Sequence, residues 1–497
     1  MRNPIYLGTA ASVVLALASY GGGATRNRGG ILDALGLSFL SFGHGAGFSN
    51  VTFWCSIMLV VLAWVMLGRQ QHLTRTALMW WIPPLVFAGP ILSRDVYSYL
   101  MQGAMMRDGF DPYTQGAAVN PGPYLLEVSH DWRNTTTPYG PLHLWLGEGI
   151  TRLVGENVTA GVFMYKLVSL AGFAMIVWAV PRIAKSLGGD PDLALWLGVA
   201  NPVMTLHLIG GMHNESIMVG LVSVGLVCAL HKRFALGVIL VSLSVSLKAT
   251  AVFALPFMVW LATRSLQRPG HTRPRRMVNF LVSGAWMATL SVAVVALVTY
   301  ASGSSWGWVS QISGNSKVIN PLALPSLLAG LVSPAASLVN EDFSYNAFLS
   351  VARSVSQILM LVGLVTVWWL FRRTDRDAIM GTTAAYAVAV VFNAVTLPWY
   401  YTSLISLLGT FSPDKRIVRW ATGLSVFIAV SFTGSGNHQL YNVVWMALAG
   451  TAAWYSVRWI ELGTLRRVPP QDDNAQETQA SPEAPNAATA PSLARDA

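Results

Sequence analysis

Apolar runs close to 20 residues recur along this chain, and most are separated by only a few polar residues. A helix needs about 20 mostly apolar residues to cross ~30 Å of hydrocarbon. Helices are also the form in which such runs leave no backbone group unsatisfied in lipid. Candidate spans lie near 4–23, 51–68, 76–92, 159–180, 193–209, 216–231, 277–300, 347–371, 377–397, 417–432 and 439–459. The stretch 234–263 is long enough for two short helices turning near Lys248, and 401–412 supplies a further short one. The expected fold is therefore an all-α polytopic membrane protein of about 13–14 transmembrane helices. Composition agrees. Only 11% of the residues are charged, against roughly 25% in soluble domains.

The formal net charge of +10 would suit nucleic acid, but its distribution points elsewhere. Lys and Arg cluster in short loops between apolar runs: "GRQQHLTR" (68–75), "PRIAKS" (181–186), "HKR" (231–233), "RSLQRPGHTRPRR" (264–276), "FRRTDR" (371–376) and "DKRIVR" (414–419), with Arg466 and Arg467 after the last run. Basic loops mark the cytoplasmic side, and alternating the spans puts all of these on one side. The other side then receives 24–50, 93–158, 210–215, the turn near Lys248, 301–346, 397–402 and 433–439. The first apolar run has a weak charged region before it and reads as a true span rather than a cleaved signal. Cys55 and Cys228 lie inside apolar runs and read as small core residues, not as a disulfide or zinc site. Residues 1–467 form one membrane domain in this reading. The Ala-, Pro- and acid-rich segment 468–497 is expected to be a disordered cytoplasmic tail. No internal repeat is visible, which weakens a transporter built from duplicated halves.

The long polar-side segment 93–158 opens with "SRDVYSYLMQG". Helix-like spacing of apolar residues predicts interfacial amphipathic helices over 96–106 and 141–154. Asp95 sits within a turn of the expected bilayer edge, beside Arg94. An ionisable group there is costly and tends to be functional; the plainer alternative is an ion pair or a helix cap. Tyr97 and Tyr99 fit an aromatic belt equally well. In "GGMHNESIMVG" (210–220), His213, Asn214 and Glu215 stand where a helix begins. They either cap it and complement its dipole or offer groups to a sugar or anion. Lys248 in "SVSLKATAVF" either snorkels to the surface or holds a phosphate. Lys317 in "GNSKVINP" is a second phosphate candidate, with Arg133 a weaker one. Trp399 and Tyr400 in "LPWYY" suit sugar faces as well as a belt, and His438 is the weakest candidate. All these groups fall on one side of the membrane, whereas a pump would spread them through its midplane.

"SRDVYSYLMQGAMMRDGFDPY", "TPYGP", "GGMHNESIMVGL", "SLKATA" and "LPWYY" occur in this order. Together they resemble the actinobacterial α-(1→6)-mannopyranosyltransferases of lipomannan and lipoarabinomannan core synthesis, the MptA/MptB type and nearer to MptA. That family belongs to the GT-C glycosyltransferases. The resemblance implies a polyprenyl-phosphate-mannose donor (decaprenyl-phosphoryl-mannose), an α-(1→6)-mannan glycolipid acceptor, no cofactor or metal, and chemistry on the outer (periplasmic) face of the cytoplasmic membrane. It also implies that Asp95, as the acid of an early outer loop, acts as base in an inverting transfer. Arg94 would keep Asp95 ionised, and Tyr97, His213, Asn214, Glu215, Lys248, Lys317, Trp399 and Tyr400 would bind substrate. The competing classes are a lipid-linked sugar flippase, which needs no base, and a GT-C transferase for another sugar.

Overall fold

The computed structural model describes residues 3–24, 26, 29–314 and 318–465. Among these residues there is no β-sheet, only one isolated bridge between Phe432 and His438, and the chain is an all-α, multi-pass membrane protein. The helices that position the site are α1 (Pro4–Gly22), α2 (Gly43–Leu67), α3 (Thr74–Val86), α4 (Asp95–Arg107), α5 (Pro141–Val154), α6 (Val158–Ser186), α7 (Glu215–Leu230) and α8 (Phe234–Leu247). The expected tail from 468 and the Lys317 candidate lie outside the described residues.

Six described helices are long and apolar enough to cross a membrane alone, and a seventh counts if the bent pair Pro191–Gly198 and Pro202–Gly210 is one span. Shorter apolar helices, Glu215–Leu230, Phe234–Leu247 and Leu324–Ser337, stand beside them, so the expected 13–14 helices are not all long single spans. Apolar stretches that read as continuous are interrupted by backbone chemistry. Pro83 and Pro84 sit near the end of α3, which stops at Val86; a proline removes a donor and crowds the preceding turn. Asn201 and Pro202 separate two helices bent by 52°. The run at 234–263 does divide as expected, into α8, a 3₁₀ segment Ala249–Ala254 and Leu255–Leu266. The interfacial helix expected at 141–154 has those bounds, and the one at 96–106 begins one residue earlier, at Asp95 itself. Cys55 is exposed and Cys228 half-buried, both as free thiols, so the expectation of core residues fails for Cys55: an apolar run in a membrane helix has an outward face too.

Two close helix crossings set the site. α4 and α5 meet at Gly103 and Gly147, where a Cβ on Gly103 would lie 2.2 Å from the Gly147 carbonyl carbon. α6 and α7 meet at Gly172, whose Cβ would come within 2.4 Å of the Ser216 backbone. Small residues at such crossings allow backbone approach that lipid exclusion alone does not drive. Ser216 Oγ donates to the Ser169 carbonyl at 2.6 Å, and Ser244 Oγ to that of Met218 at 2.8 Å, pinning α7 on both sides. The first residues of α4, α5 and α7 thereby converge with the C-terminal end of α8.

Candidate active site

Asp95 is the first residue of α4, and its N–H donates to Ser93 Oγ at 3.1 Å. Its carboxylate faces His213, with Nδ1 at 3.6 Å from Asp95 Oδ2. His213 reaches this place through an irregular path. Residues Thr205–Gly210 form a π-helical turn, and Met212 takes a left-handed φ of 54°, a conformation costing a non-glycine residue on the order of 1–3 kcal/mol. π-turns and such strained residues gather at functional sites.

The His213 ring stacks on Trp399, with centroids 3.7 Å apart and planes at 17°, and Tyr99 Oη lies 3.4 Å from His213 Nδ1. Burial, with smaller contributions from His207 and Lys248, holds His213 well below the usual histidine range. The 3.6 Å contact with Asp95 is therefore a neutral imidazole beside an acid, not an ion pair. Behind it, Glu215 and Lys248 form a buried ion pair, and the Lys248 ammonium sits over the Tyr400 ring at 4.1 Å. Burial opposes the Lys248 charge, yet the Glu215 carboxylate carries its pKa above the ordinary lysine value. Asn214 does not cap α7 with its side chain. Its Nδ2 donates instead to His143 Nδ1 at 3.2 Å, and His143 Nε2 lies 3.2 Å from Gln102 Oε1.

Burial pushes the Asp95 carboxyl up to about 7, and the Glu215 charge adds to it; Lys248, then the Ser93 and Tyr99 hydroxyls, pull the other way. Arg94 is engaged elsewhere. Its Nε and Nη2 donate to the Glu127 carbonyl at 3.2 and 2.6 Å, and Nη2 lies 3.6 Å from Glu127 Oε2. The expectation that Arg94 keeps Asp95 ionised is thus corrected: adjacent residues at a helix start point apart, and Glu127, 33 residues away, claims the guanidinium. Tyr97 is corrected likewise. Its hydroxyl is buried and donates to the Ala24 carbonyl at 3.1 Å, on the far side of α4 from Asp95. Tyr97→Phe should cost about 0.5–1.5 kcal/mol, the net worth of one hydrogen bond, and leave catalysis intact; thermal unfolding and an activity assay check both halves.

Asp95 stands where two clefts meet. The wider one, about 450 Å3, is lined by Arg94, Arg133, Asn320, Trp399, Asn437 and His438. The narrower, about 50 Å3, runs past Tyr99, Gln102, Trp132, Tyr139 and Tyr400. Arg133 is tied to the Val128 and Leu126 carbonyls at 3.3 Å. Buried polar atoms around Asp95 make no hydrogen bond within the chain: His213 Nε2, Asn214 Oδ1, Glu215 Oε2 and Trp399 Nε1. Buried polar atoms are normally satisfied, so this set calls for hydroxyl groups or water. His143, Gln102 and Tyr139 escaped sequence reading as site residues. The one available signal was a histidine on the buried face of the interfacial helix at 141–154.

Residues 5–264 match the family described as alpha-(1→6)-mannopyranosyltransferase, N-terminal domain, and residues 325–461 match the MptB C-terminal domain. An alpha-(1→6)-mannopyranosyltransferase A of Corynebacterium glutamicum is 57% identical over 89% of this chain and 95% of its own. The chain belongs to the α-(1→6)-mannopyranosyltransferase family. The A protein of Mycobacterium tuberculosis is 36% identical over 91% of this chain and 89% of its own, whereas the B protein of C. glutamicum is 25% identical over 93% and 82%. Within this mannopyranosyltransferase, Asp95, His213, Glu215 and Lys248 fall in the N-terminal match, while Trp399 and Tyr400 fall in the C-terminal one. The two matched parts meet at this cluster, where Trp399 stacks on His213 and Tyr400 faces Lys248.

Proposed function

We propose that the chain is an inverting α-(1→6)-mannosyltransferase that moves mannose from a polyprenyl-phosphate donor to a mannan acceptor, with Asp95 as the general base. The observation that carries this reading is a single carboxylate, raised to about 7, at the junction of two clefts. A two-substrate displacement needs that placement. The acceptor's primary hydroxyl oxygen attacks the anomeric carbon, its proton passes to Asp95, and the bond from that carbon to the donor phosphate oxygen breaks with the electron pair leaving on phosphate. Neutral His213, stacked on Trp399, turns its one N–H toward the Asp95 carboxylate from Nδ1 and leaves Nε2 to accept from a sugar hydroxyl. Asn214 Oδ1 and Glu215 Oε2 accept from sugar hydroxyls. Lys248 meets the charge that grows on the leaving phosphate; Arg94 and Arg133, on the wall of the wider cleft, stand near the same path.

The site lies on the outer face of the cytoplasmic membrane in this proposal, and the polyprenyl chain runs into lipid beside it. The basic loops support that sidedness by meeting one another: Arg264 pairs with Asp375 at 2.8 Å, Arg376 Nη2 donates to the Phe411 carbonyl at 2.7 Å, and Arg69 bonds the Trp459 carbonyl. Loops that share one side of a membrane can meet in this way, as cytoplasmic basic loops would.

The direct test supplies labelled polyprenyl-phosphoryl-mannose and a short α-(1→6)-dimannoside to isolated membranes. A lengthened oligosaccharide supports the transferase, and donor translocation without elongation would establish a flippase instead. The acid limb of kcat/KM should fall near pH 7, because the base works only as carboxylate and the free-enzyme pKa sets that limb. A limb near pH 4 would mean that a solvated acid carries the step.

A further inference from the structure

We propose that a groove on the opposite side of α4 from Asp95 is a binding site for the phosphodiester headgroup of an anionic membrane phospholipid. The groove, about 690 Å3, lies among the C-terminal ends of α1 and α3, the segment 29–42 and the start of α6. Phe42, Phe87 and Phe163 stand exposed at its edge, as aromatic residues do where lipid meets water. Two cations line it, Arg26 and Lys166.

Neither cation is neutralised by a dedicated carboxylate. Arg26 Nη1 donates to Thr159 Oγ1 at 3.3 Å, while its buried Nε makes no hydrogen bond and lies 3.6 Å from Glu127 Oε1. That same carboxylate is shared with Arg94. Lys166 is 1% exposed, and its Nζ donates only to the Ile209 and Gly210 carbonyls, at 2.8 and 3.2 Å. Among the described residues, the one acid that lines the groove is exposed Asp33. Arg26 and Arg94 thus share one buried carboxylate, two guanidinium charges against one acid in low dielectric, where charge counts most. An anion entering at Arg26 matches that excess, satisfies Nε, and lets acyl chains follow the apolar wall into the bilayer.

The occupant is not the reacting donor. No residue lining this groove lines either cleft at Asp95. On α4 the groove meets Tyr97, two residues and about 200° around the helix from Asp95. A sugar-phosphate held here cannot bring its anomeric carbon to that carboxylate.

The test reconstitutes the full chain in phosphatidylcholine bilayers containing phosphatidylglycerol, extracts it gently and weighs the retained lipids by native mass spectrometry. Wild type should keep one phosphatidylglycerol in preference to phosphatidylcholine. Arg26→Gln should lower that retention about fivefold to tenfold, the effect of one cation near a lipid anion. Ala160→Trp fills the groove without touching a charge and should abolish retention, so it decides the matter even where the arginine variant fails to fold. Equal retention of phosphatidylcholine, or undiminished phosphatidylglycerol in the Ala160→Trp protein, overturns the proposal. So does retention of added polyprenyl phosphate in its place. Because the readout is mass, it is independent of whether the chain transfers mannose.

Discussion

Asp95→Asn should abolish measurable transfer, lowering kcat by about 10²–10⁴-fold, the usual worth of a positioned base, while the protein inserts and folds normally. The variant keeps the shape of the side chain and removes the group that takes the acceptor proton. Its stability carries a second, opposite expectation. Burial and the Glu215 charge raise the Asp95 carboxyl to about 7 in the fold, above the ~3.9 of a free aspartate. A carboxyl whose pKa is raised on folding stabilises the fold below its unfolded pKa, and that contribution is lost as pH climbs through the folded one. Above pH 7 the native protein therefore holds an ionised carboxylate at a cost, which the neutral amide removes. Asp95→Asn should unfold at the wild-type temperature or higher at pH 8, and the gap should narrow toward pH 5. A dead enzyme that is no less stable identifies a residue kept for chemistry. Wild-type-like transfer would end the assignment of the base, and an unfolded variant would make Asp95 structural.

Much of the site could be read from the sequence because it rests on charged residues in an otherwise apolar chain. Asp95, Glu215 and Lys248 each violate the surrounding composition, and each has its reason in the same cluster. Trp399 and Tyr400 were legible as aromatics at a turn; that one stacks on His213 and the other carries Lys248 depends on long-range packing. Pairings were the weakest part. Arg94 stands beside Asp95 in sequence and bonds Glu127, because α4 turns neighbouring side chains to different faces. His143 was missed since one histidine on an amphipathic helix is commonplace, and its meaning comes only from Asn214 and Gln102 on either side. Helix boundaries were hidden for a related reason. Hydropathy registers apolar length, but Pro83, Pro84 and Pro202 decide where the backbone ladder breaks.

The buried Glu215–Lys248 pair gives the other large effect. Lys248→Met leaves Glu215 in a buried site without its cation, and removing one partner of such a pair costs about 3–5 kcal/mol. Glu215→Gln strands Lys248 in the same way. Replacing both, as Glu215→Leu with Lys248→Met, removes both charges and should recover most of that stability, since an apolar substitute avoids the desolvation of two ions. Transfer should not recover with it. A pair kept only for packing would return activity along with stability, so the double variant separates the two roles. The single variants add a signed readout where they remain folded. Glu215 raises the Asp95 pKa and Lys248 lowers it. The acid limb of kcat/KM should consequently move above pH 7 in Lys248→Met and below it in Glu215→Gln. Shifts of opposite sign from the two halves of one ion pair can arise only if both charges act on the group that titrates in catalysis. A limb that stays fixed in both variants would show that the titrating group is not Asp95.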